Sequence, residues 1–344
     1  MLASVKATGG RSNQRQAMQA GIIRTQLVDL SGLLSPKVDG VRLLAKAEYT
    51  QPGYSMKDRI AEHILTHAKE TGKLRVPGGT VVAASSGNTG ASVAMWCARN
   101  GVRAVILTDL KCSPEKKDAI RAYGADLRVA QAGQNYMVME VELAKENPDW
   151  FAFDQYNNPQ NPEAHYRTTG KEIWEQTEGK VTHFVMAAST GGTISGVSRA
   201  LKEKNPSVHV RLADPDGSML AHFVRTNEKV VPAHRTLVEG AGKTEVPGAF
   251  NKDAVDDAVT VTDRDAFAMC HRIAQTSGLL VGGSSGVNVH AAVELANAAT
   301  EPCTIVTLLC DSGIKYLSKV YNPEWLRANN VDLETSPPAS PAQL

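Results

Sequence analysis

Lys57 closes the stretch Gln51-Pro52-Gly53-Tyr54-Ser55-Met56 and is followed by Asp58-Arg59. A turn built on proline and glycine delivers it just ahead of Asp58 to Lys69, where Ile60, Ile64, Leu65 and Ala68 share one helical face and Gly72 follows as a stop. An amine held at a cleft floor and partly stripped of water loses basicity and can form a Schiff base. By itself the position decides little, because most lysines ahead of helices are solvated.

Three other segments place small polar residues between an apolar run and a helix. Ala84-Ser85-Ser86-Gly87-Asn88-Thr89-Gly90 follows the run 80–84 and precedes a helical stretch over 91–99. Its backbone N–H groups suit a carboxylate or a phosphate at a helix start, or form a turn capped by serine. It lacks the lysine of a P-loop. Ser189-Thr190-Gly191-Gly192-Thr193 opens a helix that runs to Lys204. Two glycines and three hydroxyls at the positive end of a helix dipole make a phosphate cradle, and the missing G-x-G-x-x-G spacing favours a monophosphate over a dinucleotide. Ser312, in Leu309-Cys310-Asp311-Ser312-Gly313, offers a hydroxyl that can bond a ring nitrogen without protonating it, or caps a helix starting at Ile314.

The elements that must position these residues are legible as alternation. Runs at 80–84, 102–108, 184–188, 208–213 and 304–309 are nearly continuous in apolar residues, as strands covered on both faces should be. Helical stretches with readable ends lie between them; Ser113-Pro114-Glu115 supplies a cap, a first-turn proline and an acid near the dipole. This predicts an α/β chain with mostly parallel sheets. Asn157-Asn158-Pro159-Gln160-Asn161-Pro162 interrupts the pattern and marks a boundary between two lobes, with a ligand expected in the cleft between them.

Composition removes other classes. Among 344 residues, 37 Lys and Arg balance 36 Asp and Glu, so no bulk charge draws the chain to nucleic acid or an anionic membrane. The apolar run from Cys303 to Cys310 is far short of the ~20 residues a spanning helix needs. Five cysteines without a C-x-x-C pair and histidines without H-E-x-x-H argue neither a disulfide scaffold nor a metal site. A reducing, cytoplasmic setting follows as the expectation, although the start from Met1 to Val28, basic and without acid before its end, also resembles an organellar transit segment. Glu334 to Leu344 reads as a disordered tail.

Taken in order, the four segments resemble the β-replacement family of pyridoxal-phosphate enzymes, the cysteine synthases and the catalytic core of cystathionine β-synthases. The likeness runs from about Ile22 to Leu326 and includes Asp154-Gln155-Tyr156, Glu239-Gly240-Ala241-Gly242 and Gly282-Gly283-Ser284-Ser285-Gly286. It implies a two-domain fold type II enzyme, each domain a mostly parallel twisted sheet covered by helices. Residues 1–46 would be an N-terminal segment on the larger domain, 47–160 a smaller mobile substrate domain, 161–330 the cofactor domain and 331–344 a tail. It implies pyridoxal 5'-phosphate as cofactor, with Lys57 as its Schiff-base lysine and the catalytic base. Asn88 would contact the ring oxygen, Ser189, Thr190, Gly191, Gly192 and Thr193 the phosphate, and Ser312 the ring nitrogen. Ser85, Ser86, Gly87, Asn88, Thr89, Gln155, Gly240 and Lys243 would meet the substrate. The partners implied are small amino-acid substrates and a second copy in a homodimer.

The implied reaction is β-replacement on an activated serine through an aminoacrylate, with O-acetylserine and sulfide giving cysteine as the leading case. A serine or phosphoserine donor, or homocysteine, thiosulfate, cyanide or an amine as nucleophile, stays open, as does a non-catalytic regulatory homologue. Several residues depart from the family pattern. Gln51 stands for asparagine, Tyr54 for a glycine where its bulk would narrow the cleft, Ser189 for the first loop glycine, and Cys310 for a proline. Lys243 stands where relatives carry alanine or tyrosine, either facing the cleft as a cation or lying on an exposed loop beside Glu245.

Overall fold

The computed structural model describes residues 21–85, 87–110 and 112–333. Expectations for the N-terminal extension before residue 21, for Ser86 and for the tail after 333 lie outside these residues. The apolar runs form strands within a residue or two of where their composition places them, in the order β1 (Leu27–Asp29), β2 (Arg42–Ala47), β3 (Thr80–Ala84), β4 (Arg103–Thr108), β5 (Asp126–Val129), β6 (Phe151–Ala152), β7 (His183–Ala187), β8 (His209–Pro215), β9 (Asp257–Val261) and β10 (Thr304–Leu309). The helices are α1 (Lys57–Glu70), α2 (Asn88–Asn100), α3 (Pro114–Ala122), α4 (Tyr136–Glu146), α5 (Gln160–His165), α6 (Lys171–Gln176), α7 (Gly192–Lys204), α8 (Leu220–Thr226), α9 (Asp263–Ser277), α10 (Gly283–Ala298) and α11 (Pro323–Ala328).

Two sheets result. The larger has the order β1-β2-β10-β7-β8-β9, with only the β1–β2 pair antiparallel. The smaller, β5-β4-β3-β6, is parallel throughout. Strands such as β10 and β3 are buried on both faces, and helices cover them, which accounts for their unbroken apolar character. The larger sheet has a core on each side. One gathers Phe267, Ile273 and Val287 from α9 and α10; the other gathers Phe184, Ile194 and Leu201 with α7. A third core lies under the smaller sheet, where Ile60, Ile64 and Leu65 of α1 meet Trp96 of α2. The apolar face expected for α1 is therefore the face it buries.

The N-terminal part is tied in by charge as well as by strand pairing. Arg59, fully buried on α1, donates to Glu48 at 2.7 and 2.8 Å and to Glu172 at 2.7 and 2.9 Å. Lys46 on β2 donates to the same Glu172 at 2.6 Å and to the Thr25 carbonyl at 2.7 Å. Ion pairs this deep persist only because every charge has a counter-charge and hydrogen bonds. Their position two residues beyond Lys57 fixes the start of α1. Among the described residues, no helix is long and apolar enough to cross a membrane, and no cluster of three His, Cys, Asp or Glu could hold a metal.

Candidate active site

Strands β3, β7 and β10 are parallel to their neighbours, so their C-terminal ends open toward common ground, and the loops 85–87, 188–191 and 310–312 emerge there. Between them lies a cleft of about 470 Å³ bordered by Met56, Lys57, Asn88, Ser189, Thr190, Gly191, Thr193, Gly240, Ser284 and Cys310. A second space of about 400 Å³ shares Lys57, Asn88, Ser189, Thr190 and Gly240, and extends to Ser85, Thr89, Lys116, Gln155, Tyr156 and Tyr316. Residues more than two hundred positions apart are thus brought together.

Lys57 is the first residue of α1, and the turn ahead of it is held from several directions. The Met56 N–H donates to the Cys310 carbonyl at 2.9 Å, and the Gly53 N–H donates to Asp58 at 2.5 Å. A Cβ at Gly53 would come within 2.4 Å of that carboxylate, so the turn needs glycine there. Burial lowers the Lys57 pKa from the usual lysine range, with Asp311 acting in the opposite sense. Cys310 is pushed up to about 12 by burial, so it faces Lys57 as a neutral thiol near neutral pH.

The wall opposite is the start of α7. Gly191 occupies its N-cap position with φ 81° and has no side chain to cap the helix; the Gly192 N–H makes a long bond to the Thr190 hydroxyl at 3.4 Å, and the other early N–H groups are left for a ligand. A Cβ at Gly191 would lie 2.4 Å from Phe250, and one at Gly192 would lie 2.0 Å from Asn161. Asn161 in turn donates to the Thr190 hydroxyl at 3.0 Å, and His165 meets the Thr193 hydroxyl at 3.1 Å. The imidazole of His165 is held far below its ordinary pKa by burial, so it is neutral. A helix start without an N-cap side chain, two close-packed glycines and two oriented hydroxyls, with the Ser189 hydroxyl beside them, fit a phosphate monoester, and an amine of lowered basicity across the cleft fits its aldehyde.

The second space is bordered by the start of α2. The Ser85 hydroxyl accepts from the N–H groups of Gly87 and Gly90 at 3.1 and 2.9 Å, which is the capping role its position allowed. Gly87 sits at φ 148°, where a Cβ would strike the Lys116 stem at 2.3 Å. Thr89 donates to Gln155 at 2.8 Å, and Gln155 donates to the Ala84 carbonyl at 2.6 Å. Behind them Glu140 accepts from the N–H groups of Ala84 and Asp154 at 3.1 and 2.9 Å and ties the two loops together. Burial pushes its carboxyl up to about 7.

Three expectations change. Ser312 does not border the cleft: it is 8% exposed, its hydroxyl accepts from the Ile314 N–H at 3.4 Å, and its N–H donates to Tyr54. The helix-cap alternative is the one the fold realises. The serine beside Cys310 in the cleft is Ser284, in the first turn of α10, where Gly282 packs too closely on Asp311 for a side chain and Gly283 lies tight against Phe267. Lys243 also fails to border the cleft. Its ammonium lies 4.0 Å from the centre of the Tyr156 ring, while its backbone is pinned by Ser218, so it backs a residue of the wall. Nor is it an exposed loop residue, since burial lowers its pKa. Tyr54 is 59% exposed at φ 59° and narrows nothing.

Sequence reasoning missed Lys116 and Glu239 as one unit. Lys116, buried on α3, pairs with Glu239 at 2.7 Å and donates to the Tyr316 hydroxyl at 3.0 Å, closing the far end of the second space. No motif spacing links residues so far apart in the chain, and only the topology does.

A sequence profile of the family described as pyridoxal-phosphate dependent enzyme matches residues 18–311. Cysteine synthase 2 of Schizosaccharomyces pombe is 38% identical over 334 residues, covering 89% of this chain and 84% of the relative. Cystathionine beta-synthase of Oryctolagus cuniculus is 38% identical over 290 residues, 83% of this chain and 52% of the relative, so the chain spans about half that protein's length. The crystal structure of O-acetylserine dependent cystathionine beta-synthase from Helicobacter pylori superposes with a TM-score of 0.82 at 30% identity, covering 89% of this chain and 98% of that one.

Proposed function

Since the chain belongs to the pyridoxal-phosphate dependent enzymes and to their β-replacing branch, we propose that its donor is O-acetylserine and its nucleophile sulfide, the product being cysteine. The observation that carries the reading is the pairing of Lys57, its basicity lowered by burial, with the glycine-built start of α7 across one cleft. Pyridoxal phosphate, when bound, supplies an electron sink that acidifies the substrate Cα–H and lets a β-substituent leave. Lys57 would hold the cofactor, and its free amine, neutral in larger proportion than a solvated lysine's, would take the Cα proton. Thr89 and Gln155 orient the substrate α-carboxylate against the start of α2, which sets the Cα–H toward Lys57. Ser284 is the neutral hydroxyl for the ring nitrogen; a carboxylate in its place would hold the ring protonated and prolong a carbanion.

A second reading, homocysteine as nucleophile, draws on relatives named cystathionine beta-synthase. The O-acetylserine dependent cystathionine beta-synthase of Bacillus subtilis is 35% identical and is covered to 95% by this chain. The small and large lobes, 47–160 and 161–330, and a homodimer belong to the same proposal. Purified protein should be given O-acetylserine, serine or O-phosphoserine with sulfide, homocysteine or thiosulfate, and the amino-acid products quantified. The leading reading expects O-acetylserine with sulfide to give the highest kcat/KM. A higher value with homocysteine replaces it by the second, and activity confined to O-phosphoserine overturns both.

A further inference from the structure

Asn88 opens α2 at the edge of the cleft, and both ends of its amide are engaged. Its Nδ2 donates to Asp311 Oδ2 at 2.6 Å, and its Oδ1 accepts from Lys315 Nζ at 2.9 Å. A carboxylate only accepts and an ammonium only donates, so these two partners together permit a single orientation of the amide. Lys315 makes a second bond, to the Gly53 carbonyl at 2.8 Å, in the turn that delivers Lys57. Asp311 is itself held by the Tyr316 hydroxyl at 2.6 Å. One ammonium thus joins the lysine turn, the start of α2 and the segment after β10, while bordering neither space of the cleft.

A lysine is an expensive choice for such a joint, because desolvating an ammonium is costly. Asp311 and Asp58 offset that cost, and Lys116 adds to it. Burial prevails, and the Lys315 pKa falls to about 8. The amide could be anchored more cheaply by a neutral side chain, but a neutral amide or hydroxyl both donates and accepts and would tolerate either orientation.

We propose that Lys315 is a positioning residue for the cofactor: it locks the Asn88 amide with its nitrogen edge available to an anionic oxygen of pyridoxal phosphate and sets positive charge behind it. The proposal rests on the reading that the cofactor occupies this cleft. When Lys315 loses its proton, the positive charge behind the amide disappears and its two hydrogen bonds lose their charge assistance, although Asp311 still holds the nitrogen edge, so the grip on the cofactor weakens with pH near that titration. The charged and titratable groups facing it are Asp58 of α1, Lys116 of α3, and Asp311 and Tyr316 of its own segment.

Apoprotein of the wild type, Lys315→Arg and Lys315→Met should be titrated with pyridoxal phosphate from pH 6.5 to 9.5, reading the dissociation constant and the cofactor absorbance, with thermal unfolding of each apoprotein alongside. The expected result is a loss of about tenfold in affinity for Lys315→Met at pH 7, roughly the worth of one charged hydrogen bond. Its absorbance should lack the wild-type pH transition near 8, and arginine should restore affinity while moving that transition upward. Lys315→Gln takes the place of methionine if that variant does not fold. Affinity and pH dependence equal to wild type in the methionine or glutamine variant overturn the proposal. Wild type that leaves no borohydride-fixed adduct on Lys57 would instead overturn the site itself.

Discussion

Burial acts on Lys57 and Cys310 in opposite senses, favouring the neutral amine in one and the neutral thiol in the other. The base is thereby readied and its sulfur neighbour is kept from competing for the cofactor aldehyde. Ser284 and Ser312 separate on the same logic of placement. Ser284→Ala should lower kcat at least tenfold and shift cofactor absorbance, whereas Ser312→Ala should cost about 0.5–2 kcal/mol of stability, the worth of a helix cap, with near-normal turnover. Kinetics and thermal unfolding of the two variants check this, and the reverse pattern would restore Ser312 to the site. Lys243→Ala should raise the donor KM a few-fold by loosening Tyr156, equally for sulfide and for thiosulfate, because the cation stands behind the ring. A loss confined to thiosulfate would show a direct contact instead. At this scale the sequence displayed which residue types were available, such as lysine before a helix and glycines at a helix start. Two serines at helix starts, Ser284 following α9 in the first turn of α10 and Ser312 after β10, could not be told apart, since which one faces the cleft depends on how α10 packs against Asp311.

Among the elements, the ends of β3 and β6 form one unit through Glu140 on α4. Its carboxylate accepts two backbone N–H groups and so sets the spacing of Ser85 and Gln155. The folded pKa, about 7, lies above the ordinary 4.5, so the folded state binds the extra proton between those values. Stability contributed by this group is then present below pH 4.5 and is lost as pH rises through 7, about 3 kcal/mol for a shift of that size. Glu140→Gln should remove that slope, so its unfolding free energy should gain on wild type between pH 5 and 8; parallel curves would contradict the assignment. Substrate binding should run the other way, since only the ionised carboxylate accepts both N–H groups. The donor KM of wild type should rise below pH 7, and the glutamine variant should lack that limb. Long apolar strands and capped helices were visible in the sequence, but β1, β2, β5, β6 and β9 were not. β2 carries Arg42 and Lys46 within its run, and a buried lysine satisfied by Glu172 hides a central strand from any reading of hydrophobic pattern.

Across the whole molecule, the Arg59 network joins α1, β2, α6 and the segment near Thr25, so the lysine turn leans on the larger sheet as well as on the smaller. Arg59→Met would leave Glu48 with a buried, uncompensated charge and Glu172 with Lys46 alone, and should cost about 3–5 kcal/mol by denaturant unfolding; a loss under about 1 kcal/mol would mean the network is solvated. The two-sheet plan and the cleft at strand ends followed from strand–helix alternation, whereas the closing pair Lys116–Glu239 required the tertiary arrangement. The claim on which everything else depends is that Lys57 serves a two-stage replacement in this cleft. Holoenzyme mixed rapidly with O-acetylserine and no nucleophile should release one equivalent of acetate per Lys57 in a burst, pause, and resume turnover when sulfide is added. Acetate released only when sulfide is present, or an undiminished burst from Lys57→Ala, would contradict it.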